Sequence, residues 1–495
     1  MKIDWGNSKY QDVKRMNVDY VVGTNTMGYF MVTTKSGGMF SKYKSHLELY
    51  NFEHEKEFDV TVDFEYEKHD LSNEGYLLTE NNVLAFGSYY DKKLDKNFLY
   101  GLAISFDGKI TKNWTQVDEI ISKQKRNAGN FSIVMSKDKK NVLVFHNEPY
   151  EKKENEKFRY KVMTSEFETI WEKSIELPFK DKDVFISGYT IDKDANVLMM
   201  ARFDKDKKKK IKGLPSYTYR LLQYDHKKDK MVDHEISLGK LFISEITYSL
   251  SDDDKIVVAG FFSRKEGDFM TGTFYQRLNR MTMEVEKSGQ KDFPKNFLNN
   301  FMSDRKIKKG KEIYAYDLRN LVLKDDGGAV LVAEQYYVHV VTNTSRGANG
   351  VTITTTTYYY HYNDIIVVSI NPDATIDWIK RIPKIQVSVN DGGYFSSFSL
   401  GVHEDKLYFL FNDNIKNFKN KKADKIYGMT NIKKAVVNLT TIDSKGNINS
   451  EILFSAKADA KNYLRPKFNY QYDKDKMLIY TRTKKQFKMG TVIMK

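Results

Sequence analysis

Apolar and polar positions alternate in short segments along this chain, and one pattern recurs through most of it. A turn rich in Asp, Lys, Asn, Ser and Gly leads directly into an apolar segment, as in residues 192–199 and 251–258. Such turn residues tolerate positive φ or bond their own backbone, so each copy predicts a tight turn entering a β-strand. The aligned apolar positions fall at residues 29, 83, 142, 197, 256, 330, 407 and 477. This long-period recurrence predicts a repeated β unit.

Each copy continues into a second hairpin, which makes the unit four-stranded. Trp114, Trp171 and Trp378 fall just after that second turn, on the fourth strand. Residues 2–6 (Lys-Ile-Asp-Trp-Gly) resemble the segment around Trp378, whereas the last copy offers no fourth strand of its own. We therefore expect an all-β fold, an eight-bladed β-propeller of four-stranded antiparallel blades, with the N-terminal strand closing the last blade.

Two other architectures remain open at this stage. A seven-bladed propeller with a divergent extra hairpin is the first alternative, and a pair of separate β domains is the second. No linker rich in Pro, Gly and Ser interrupts the repeat, so we expect residues 1–495 to form a single domain.

Composition supports strands and excludes several classes of protein. The chain has 33 Tyr and 31 Phe but only 7 Pro, and no sustained 3.6-residue apolar period. No apolar run approaches the roughly 18 residues of a membrane-spanning helix, so we expect no transmembrane segment. The chain contains no cysteine, which excludes disulfides, thiolate metal sites and a cysteine nucleophile.

The positive charge of the chain is spread rather than focused. The net charge of +14 comes from lysine runs in separate loop-like segments, nearly all interleaved with Asp or Asn. A nucleic-acid groove favours Arg-rich clusters with aromatic residues between them. We therefore expect no nucleic-acid partner, although an anionic glycan, a lipid head-group surface or an acidic protein remains compatible with the charge.

One insertion, residues 338–363, interrupts the sixth repeat. Val and Thr on both sides of a Gly-Ala-Asn-Gly turn predict a long β-hairpin, which we call the arm. Tyrosine is enriched at recognition surfaces. The arm is therefore expected to contact a partner through Tyr358, Tyr359, Tyr360 and His361. A solvated hairpin without a partner is the alternative.

The segment that follows, residues 382–397, is rich in small polar groups and leads into the next repeat. Connections of this kind surround the central channel of a propeller. Lys384, Gln386, Asn390, Asp391 and Tyr394 are therefore candidate binding residues, together with Ser396. Ordinary turn chemistry, in which these side chains satisfy backbone groups, is the alternative.

Catalytic and metal-binding signatures are absent from the sequence. The nine histidines include no His-Glu-x-x-His and no pair at ligand spacing, and we expect neither a metal nor a cofactor. Asp364 and Asp391 are the one carboxylate pair to inspect for glycan chemistry.

Several segments of the second half resemble a known family. These are residues 333–337 (Ala-Glu-Gln-Tyr-Tyr), 361–368, 382–386 (Ile-Pro-Lys-x-Gln) and 257–263, followed by Gly-Thr-Phe-Tyr at 272–275. They resemble uncharacterised, secreted propeller-like proteins of Bacteroidetes and, more loosely, accessory proteins of the type-nine secretion translocon. The resemblance implies a periplasmic, outer-membrane-associated or secreted location. It also implies an N-terminal signal, but residues 1–6 have no apolar h-region. It supplies no catalytic residues.

Three functions follow from these patterns. The first is a non-enzymatic protein-interaction scaffold of the bacterial cell envelope, which binds a partner through the propeller face and the arm. The alternative is a polysaccharide-binding protein or glycan-active enzyme with its site at the channel. The third, motivated by the net charge of +14, is a binder of nucleic acid or of anionic surfaces, whose binding would collapse with salt.

Overall fold

The computed structural model describes residues 2–8, 11–12, 16–36, 43–205, 210–346, 352–419, 425–455, 462–483 and 485–495. Its regular structure consists of antiparallel strands with only a few short helices, which confirms the all-β prediction. The chain divides into two compact units, one formed by Arg15–Ser237 and the other by Met1–Lys14 with Leu238–Lys495. Two short strands open the chain, β1 (Lys2–Asp4) and β2 (Gln11–Asp12).

The unit Arg15–Ser237 contains four four-stranded antiparallel sheets and one short two-stranded sheet. Within each large sheet the strands follow one another in chain order. The first and second large sheets, with the small sheet β7–β8 between them, are formed by β3 (Met16–Asn25), β4 (Gly28–Ser36), β5 (Tyr43–Tyr50), β6 (Lys56–Val62), β7 (Glu65–Tyr66), β8 (His69–Asp70), β9 (Ser72–Leu78), β10 (Asn82–Asp91), β11 (Lys96–Ser105) and β12 (Ile110–Ile121). The third and fourth are formed by β13 (Ser132–Met135), β14 (Val142–Asn147), β15 (Asn155–Met163), β16 (Thr169–Lys180), β17 (Val184–Ile191), β18 (Val197–Asp204), β19 (Tyr217–Asp225) and β20 (Lys230–Ile236).

The second unit repeats the same four-stranded sheet. Two sheets are formed by β21 (Phe242–Leu250), β22 (Lys255–Ser263), β24 (Gly272–Asn279) and β25 (Val285–Asp292), and by β27 (Tyr316–Leu323), β28 (Ala329–Arg346), β29 (Thr352–Ile370) and β30 (Ile376–Val389). Strand β23 (Phe269–Met270) pairs with β26 (Ile313–Tyr314). The remaining strands are β31 (Ser399–His403), β32 (Lys406–Asn414), β33 (Ala435–Ile442), β34 (Ile448–Ser455), β35 (Tyr463–Leu464), β36 (Tyr470–Asp473), β37 (Lys476–Arg482) and β38 (Gln486–Ile493).

The last sheet of this unit combines both ends of the chain. Its order is β1-β38-β37-β35, with β2 also on β38 and β36 also on β37. Lys2 pairs with Ile493 and Asp4 with Thr491, so β1 occupies the place of a fourth strand. The described helices are short, at α1 (Lys295–Leu298), α2 (Asp304–Lys308) and α3 (Lys416–Lys419), and 3-10 turns occur at Lys125–Asn127, Asp181–Asp183, Ile432–Lys434 and Pro466–Phe468.

The polar turns that recur in the sequence are the hairpin turns between first and second strands. In the turn before β14, Ser136 Oγ donates to Asp138 and accepts the amide of Asn141, and Lys139 has a φ of 62°. The turn before β22 is built in the same way from Ser251 and Asp253. These local bonds stop one strand and start the next, because they replace ladder bonds with side-chain partners.

Second strands are the most buried elements of the fold. Strand β22 is buried from Ile256 to Ser263, and strand β32 from Leu407 to Asp413. Core clusters join the inner strands of successive sheets within one unit. Residues from β22 and β24 pack with β28 and β29 in one cluster, and residues from β32 and β33 pack with β37 and β38 in another. Both faces of these strands are covered, which explains why their sequences are apolar without alternation.

Candidate functional site

A fully buried polar network lies beneath the root of the arm. Lys384, on β30, has no exposed surface. Its Nζ donates to Glu334 Oε1 at 2.8 Å, to the carbonyl of Tyr362 at 2.9 Å and to Gln386 Oε1 at 3.1 Å. Burial lowers the pKa of Lys384, and the negative charge of Glu334 opposes that effect. The Lys384–Glu334 ion pair adds little to the net stability of the fold, because burying both charges is costly. Removing either partner would nevertheless be strongly destabilising, because it leaves the other charge buried and uncompensated.

The same network holds the loop of residues 390–397 that joins β30 to β31. The amide of Ser397 donates to Gln386 Oε1 at 2.7 Å, and Ser397 Oγ donates to Glu334 Oε2 at 2.7 Å. Four loop residues have positive φ, namely Asn390, Gly392, Gly393 and Ser397. For a non-glycine residue this conformation costs about 1–3 kcal/mol and persists only where the surroundings impose it. The buried network supplies part of that constraint.

The other end of the loop is tied to the arm. The amide of Asn390 donates to the carbonyl of Tyr358 at 3.0 Å, and the amide of Tyr358 donates to Asn390 Oδ1 at 2.9 Å. Asp391 Oδ1 accepts the amide of Gly393 at 2.9 Å. The two segments that the sequence analysis selected separately therefore meet in one site.

Tyr362 links the loop to a lysine that is distant in sequence. Lys467 Nζ donates to the Tyr362 hydroxyl at 2.6 Å and lies 4.3 Å from the centre of its ring. The ring of Tyr336 lies 4.7 Å from that of Tyr362. A Cβ on Gly393 would lie 2.2 Å from Tyr362 Cε2, so only glycine lets the loop approach this closely. Burial raises the pKa of Tyr362 well above its ordinary value.

Further cations surround a second tyrosine, Tyr394. The Arg465 guanidinium lies 4.2 Å from the centre of the Tyr394 ring, and Arg482 Nη1 donates to the Tyr394 hydroxyl at 2.8 Å. Arg319 lies 5.4 Å from the Tyr336 ring. Burial lowers the pKa of Lys467; the negative charges of Glu334 and Asp391 oppose this effect, and the positive charges of Arg319 and Arg465 add to it. The set that we call the cation–tyrosine cluster consists of Arg319, Tyr336, Tyr362, Tyr394, Arg465, Lys467 and Arg482.

The arm extends from this cluster as paired strands. Strands β28 and β29 pair without a register shift from Tyr336↔Tyr362 to Arg346↔Thr352. Strand β30 accompanies β29 only as far as Tyr359↔Val389. Beyond that pair, the described part of the arm has two strands, and neither has a described strand on its outer side. The turn at residues 347–351 lies outside the described residues.

Apart from Arg346 next to its turn, the arm has no Asp, Glu, Lys or Arg residue, and its surface is rich in aromatic side chains. The rings of Tyr337 and His361 stack at 4.4 Å, and those of His339 and Tyr359 lie 6.0 Å apart. Residues 335–345 and 352–363 contain no Asp, Glu, Lys or Arg, in a chain of which 29% is charged. The exposed side chains include those of Tyr337, Val338, Val340 and Tyr358.

The predicted binding residues occupy different depths in the structure. Tyr358, Tyr359, Tyr360 and His361 lie on the arm, and Asn390 and Asp391 lie on the exposed part of the loop. Tyr394 belongs to the cation–tyrosine cluster. Lys384 and Gln386 need a correction, because both are completely buried. They support the site from beneath, and a partner cannot touch them in this conformation.

The carboxylates considered for glycan chemistry already have partners. Asp364 is 8% exposed; its Oδ2 lies 2.8 Å from Arg381 Nη2, and its Oδ1 accepts the amide of Lys384 at 3.1 Å. Asp391 is engaged by Gly393. Asp364 therefore does not face open space, whereas Asp391 is exposed and binds its own loop through one oxygen.

Sequence reasoning missed the cations of the cluster and the buried Glu334. Arg319 and Glu334 come from one sheet, whereas Arg465, Lys467 and Arg482 come from the last sheet and a turn within it, and no spacing connects the two groups. Arg465-Pro466-Lys467 was the one available signal, since it places two cations beside a scarce proline. Among the described residues, no group of three or more His, Asp or Glu side chains is placed to hold a metal ion. No helix in the described ranges has the length and apolar character needed to cross a membrane.

Comparisons with known proteins give only distant structural likenesses. No protein-family model and no curated protein matches the chain. The β-propeller domain of the Trilobed protease from Pyrococcus furiosus aligns with 92% of this chain and 98% of its own, at 10% identity and a TM-score of 0.35. The WD40 domain of SCAP from fission yeast aligns with 98% and 95%, at 8% identity and a TM-score of 0.40.

A post-proline cleaving enzyme from Rickettsia typhi aligns with 94% of this chain and 58% of its own, at 11% identity and a TM-score of 0.40. These likenesses include β-propeller domains and peptidases alike. We draw no argument about function from them.

Proposed function

We propose that this protein is a non-enzymatic protein-interaction scaffold, and that the arm binds its partner by adding a segment of the partner as a strand along the outer edge of β28. Strand addition gives affinity through main-chain hydrogen bonds and selectivity through alternate side chains. The observation that carries the proposal is the open, uncharged edge of β28.

The direction of the backbone groups on this edge follows from one hydrogen bond. The amide of Tyr336 donates to the carbonyl of Ala315 at 3.0 Å, on the side of β28 that faces β27. The register from Tyr336 onward has no shift, so alternate residues share this orientation. The amides of Val338, Val340 and Thr342 therefore point away from β29. No described strand lies there to accept them.

The edge lacks the features that normally prevent strand pairing. Natural edge strands are protected by Lys, Pro, bulges or a covering segment. From Tyr336 to Ser345 the strand has no charged residue, no proline and no bulge. The net charge of +14 opposes association of two copies. We therefore assign the edge to a segment of a different protein.

The wider setting forms part of the proposal. The seven four-stranded sheets and the six-stranded sheet that combines both chain ends are taken as the blades of one eight-bladed propeller, which β1 closes through its pairing with β38. The family resemblance supports an envelope or extracellular location in a bacterium of Bacteroidetes type, and a partner in the same compartment. The type-nine secretion translocon is one place where such a scaffold would act.

Proline substitution tests the strand-addition mode. Thr342→Pro removes an outward amide while leaving the main-chain bonds of β28 to β29 intact. Thr342→Ala is the matched control, because it keeps the amide and, like the proline variant, loses the side-chain contact with Thr356. The tagged full-length proteins are used to capture partners from the native cell envelope. We expect wild type and Thr342→Ala to retain one stoichiometric partner and Thr342→Pro to lose it, with equal melting temperatures.

Two results would overturn these ideas separately. Retention of the partner by Thr342→Pro excludes strand addition at this edge. Absence of any stoichiometric partner with wild type contradicts the scaffold function itself.

A further inference from the structure

We propose that the cation–tyrosine cluster is a carboxylate-binding site that receives acidic side chains at one end of the partner's added segment. This inference deepens the proposed function and rests on it. It predicts the sequence pattern of the partner's segment: acidic residues at one end, followed by an uncharged stretch in which apolar and polar residues alternate.

The first support is the convergence of positive charges on two tyrosines. Arg465 and Arg482 both contact Tyr394, and Lys467 contacts Tyr362. The described hydrogen-bond partners of Lys467 and Arg482 are neutral oxygens, which belong to Tyr362, Gly392 and Tyr394. These positive charges repel one another, and an anion bound among them would replace that repulsion with attraction.

The carboxylates nearest to the cluster are already engaged. Glu334 is buried and binds Lys384, and its other oxygen lies 3.4 Å from Arg319 Nε. Arg319 Nη2 also lies 3.5 Å from Asp317. Asp391 accepts the amide of Gly393. Glu334 and Asp391 attract Lys467 from a distance, but neither carboxylate is among the described hydrogen-bond partners of Lys467 or Arg482. Both cations can therefore receive a carboxylate from outside.

The geometry favours a carboxylate over a sugar ring or a base. A face of Tyr362 is covered by Lys467, and a face of Tyr394 by Arg465. These faces are closed to stacking, which is how aromatic sites hold bases. An arginine fork offers two parallel N–H groups that match the two oxygens of a carboxylate, and a lysine adds a point charge.

The position of the cluster connects it to the arm. Tyr336 and Tyr362 form the first register pair of the regular arm, and their side chains share a sheet face with Val338 and Val340. A face that begins with cations continues outward as an uncharged strip of Val, Tyr and Thr. A partner segment added along β28 would therefore extend from the cations of the cluster to the uncharged strip of the arm.

Two synthetic peptides test the site. Both alternate Thr and Val; one ends in two glutamates and the other in two glutamines. Binding to the full-length protein is measured by fluorescence anisotropy in low salt. We expect the glutamate peptide to bind at least about tenfold more tightly than the glutamine peptide, in keeping with charge-assisted hydrogen bonds.

Substitutions then test whether the cations of the cluster cause the preference for the glutamate peptide. Lys467→Gln combined with Arg482→Gln is expected to remove the preference for glutamate, so that this variant binds the two peptides with equal affinity. Lys474→Gln is the control, because Lys474 is an exposed lysine in the turn before β37, at the end of that strand opposite Arg482. It is expected to behave as wild type.

The outcomes separate this inference from the function on which it rests. If the two peptides bind equally well, and Thr342→Pro weakens both to the same extent, the carboxylate site is wrong but strand addition is supported. Binding of neither peptide overturns the site as proposed. Tighter binding of a peptide ending in two phosphoserines overturns its assignment to carboxylates.

Discussion

Glu156 is a buried carboxyl group that keeps its proton at neutral pH. It lies on β15, is 2% exposed and accepts a hydrogen bond from Asn147. Burial raises its pKa from 4.5 to about 8, and a hydrogen bond with Asp181 acts in the same direction. The folded protein therefore holds a proton that the unfolded chain releases near pH 4.5.

This difference predicts how stability changes with pH. Between pH 4.5 and about 8 the folded state binds more protons than the unfolded state, so the free energy of unfolding falls as pH rises. The contribution from this group reaches at most roughly 1.4 kcal/mol per pH unit. We expect Glu156→Gln, which stays neutral and can still donate to Asp181, to flatten the dependence measured by urea unfolding.

Glu154→Gln is the control for this experiment, because Glu154 is an exposed neighbour on the same segment. It should leave the slope unchanged. If Glu156→Gln kept the wild-type dependence of unfolding free energy on pH, the group that binds the additional proton in the folded state would not be Glu156.

Tryptophan positions show what could be predicted at the scale of single residues. Trp114, Trp171 and Trp378 lie on β12, β16 and β30, each the last strand of its sheet, which confirms the register read from the sequence. Their indole N–H groups donate to the carbonyls of Asp63, Ala195 and Ser444. The acceptors could not be predicted, because they lie in turns of other sheets.

At the scale of elements, the loop of residues 390–397 depends on two adjacent glycines in different surroundings. Gly392 and Gly393 have φ values of 66° and 70°. A Cβ at Gly392 would meet nothing within 4 Å, whereas one at Gly393 would meet the Tyr362 ring at 2.2 Å. The pair therefore separates backbone strain from steric overlap.

Alanine substitution measures the two effects. Gly392→Ala is expected to lower the free energy of unfolding by about 1–2 kcal/mol, the cost of the left-handed region for a residue with a Cβ. Gly393→Ala should cost about 1–3 kcal/mol more, because the Tyr362 ring must move. Chemical denaturation of both variants checks this. Equal losses would mean that the loop does not press on Tyr362.

The arm was predictable as a hairpin, but its open edge was not. Val and Thr flanking a Gly-Ala-Asn-Gly turn predict two strands from local preference alone. The extent of the edge depends on where β27 begins and where β30 ends, at Tyr316 and Val389. Both are decided by pairing with other strands, and pairing is a non-local property.

At the scale of the whole molecule, the chain ends meet in one sheet. Strand β1 pairs with β38, and the half-buried Trp5 packs edge-on against Phe454 at 6.1 Å. Lys488 Nζ lies 4.7 Å from the centre of the Trp5 ring. These contacts are the physical basis for the proposed closure of the propeller.

Deleting residues 1–8 tests that closure. Half-burial of one Trp contributes roughly 1–2 kcal/mol, and the ladder bonds of β1 add to it. We expect a clear loss of stability in thermal and urea unfolding. Lys2→Ala, which changes only an exposed side chain, is the control. An unchanged transition in the deletion variant would contradict the closure.

The sequence by itself determined the all-β class, the repeated hairpin turns, the fourth-strand tryptophans and the hairpin arm. Each of these depends on residues close together in the chain: a Ser or Asp that bonds its own backbone, or an apolar run between two turns. Only the tertiary structure decided that Lys384 and Gln386 are buried beneath the site, and that Arg465, Lys467 and Arg482 converge on Tyr362 and Tyr394. Burial and charge clustering depend on which strands become neighbours. That choice is made by packing across sheets, so no local sequence pattern records it.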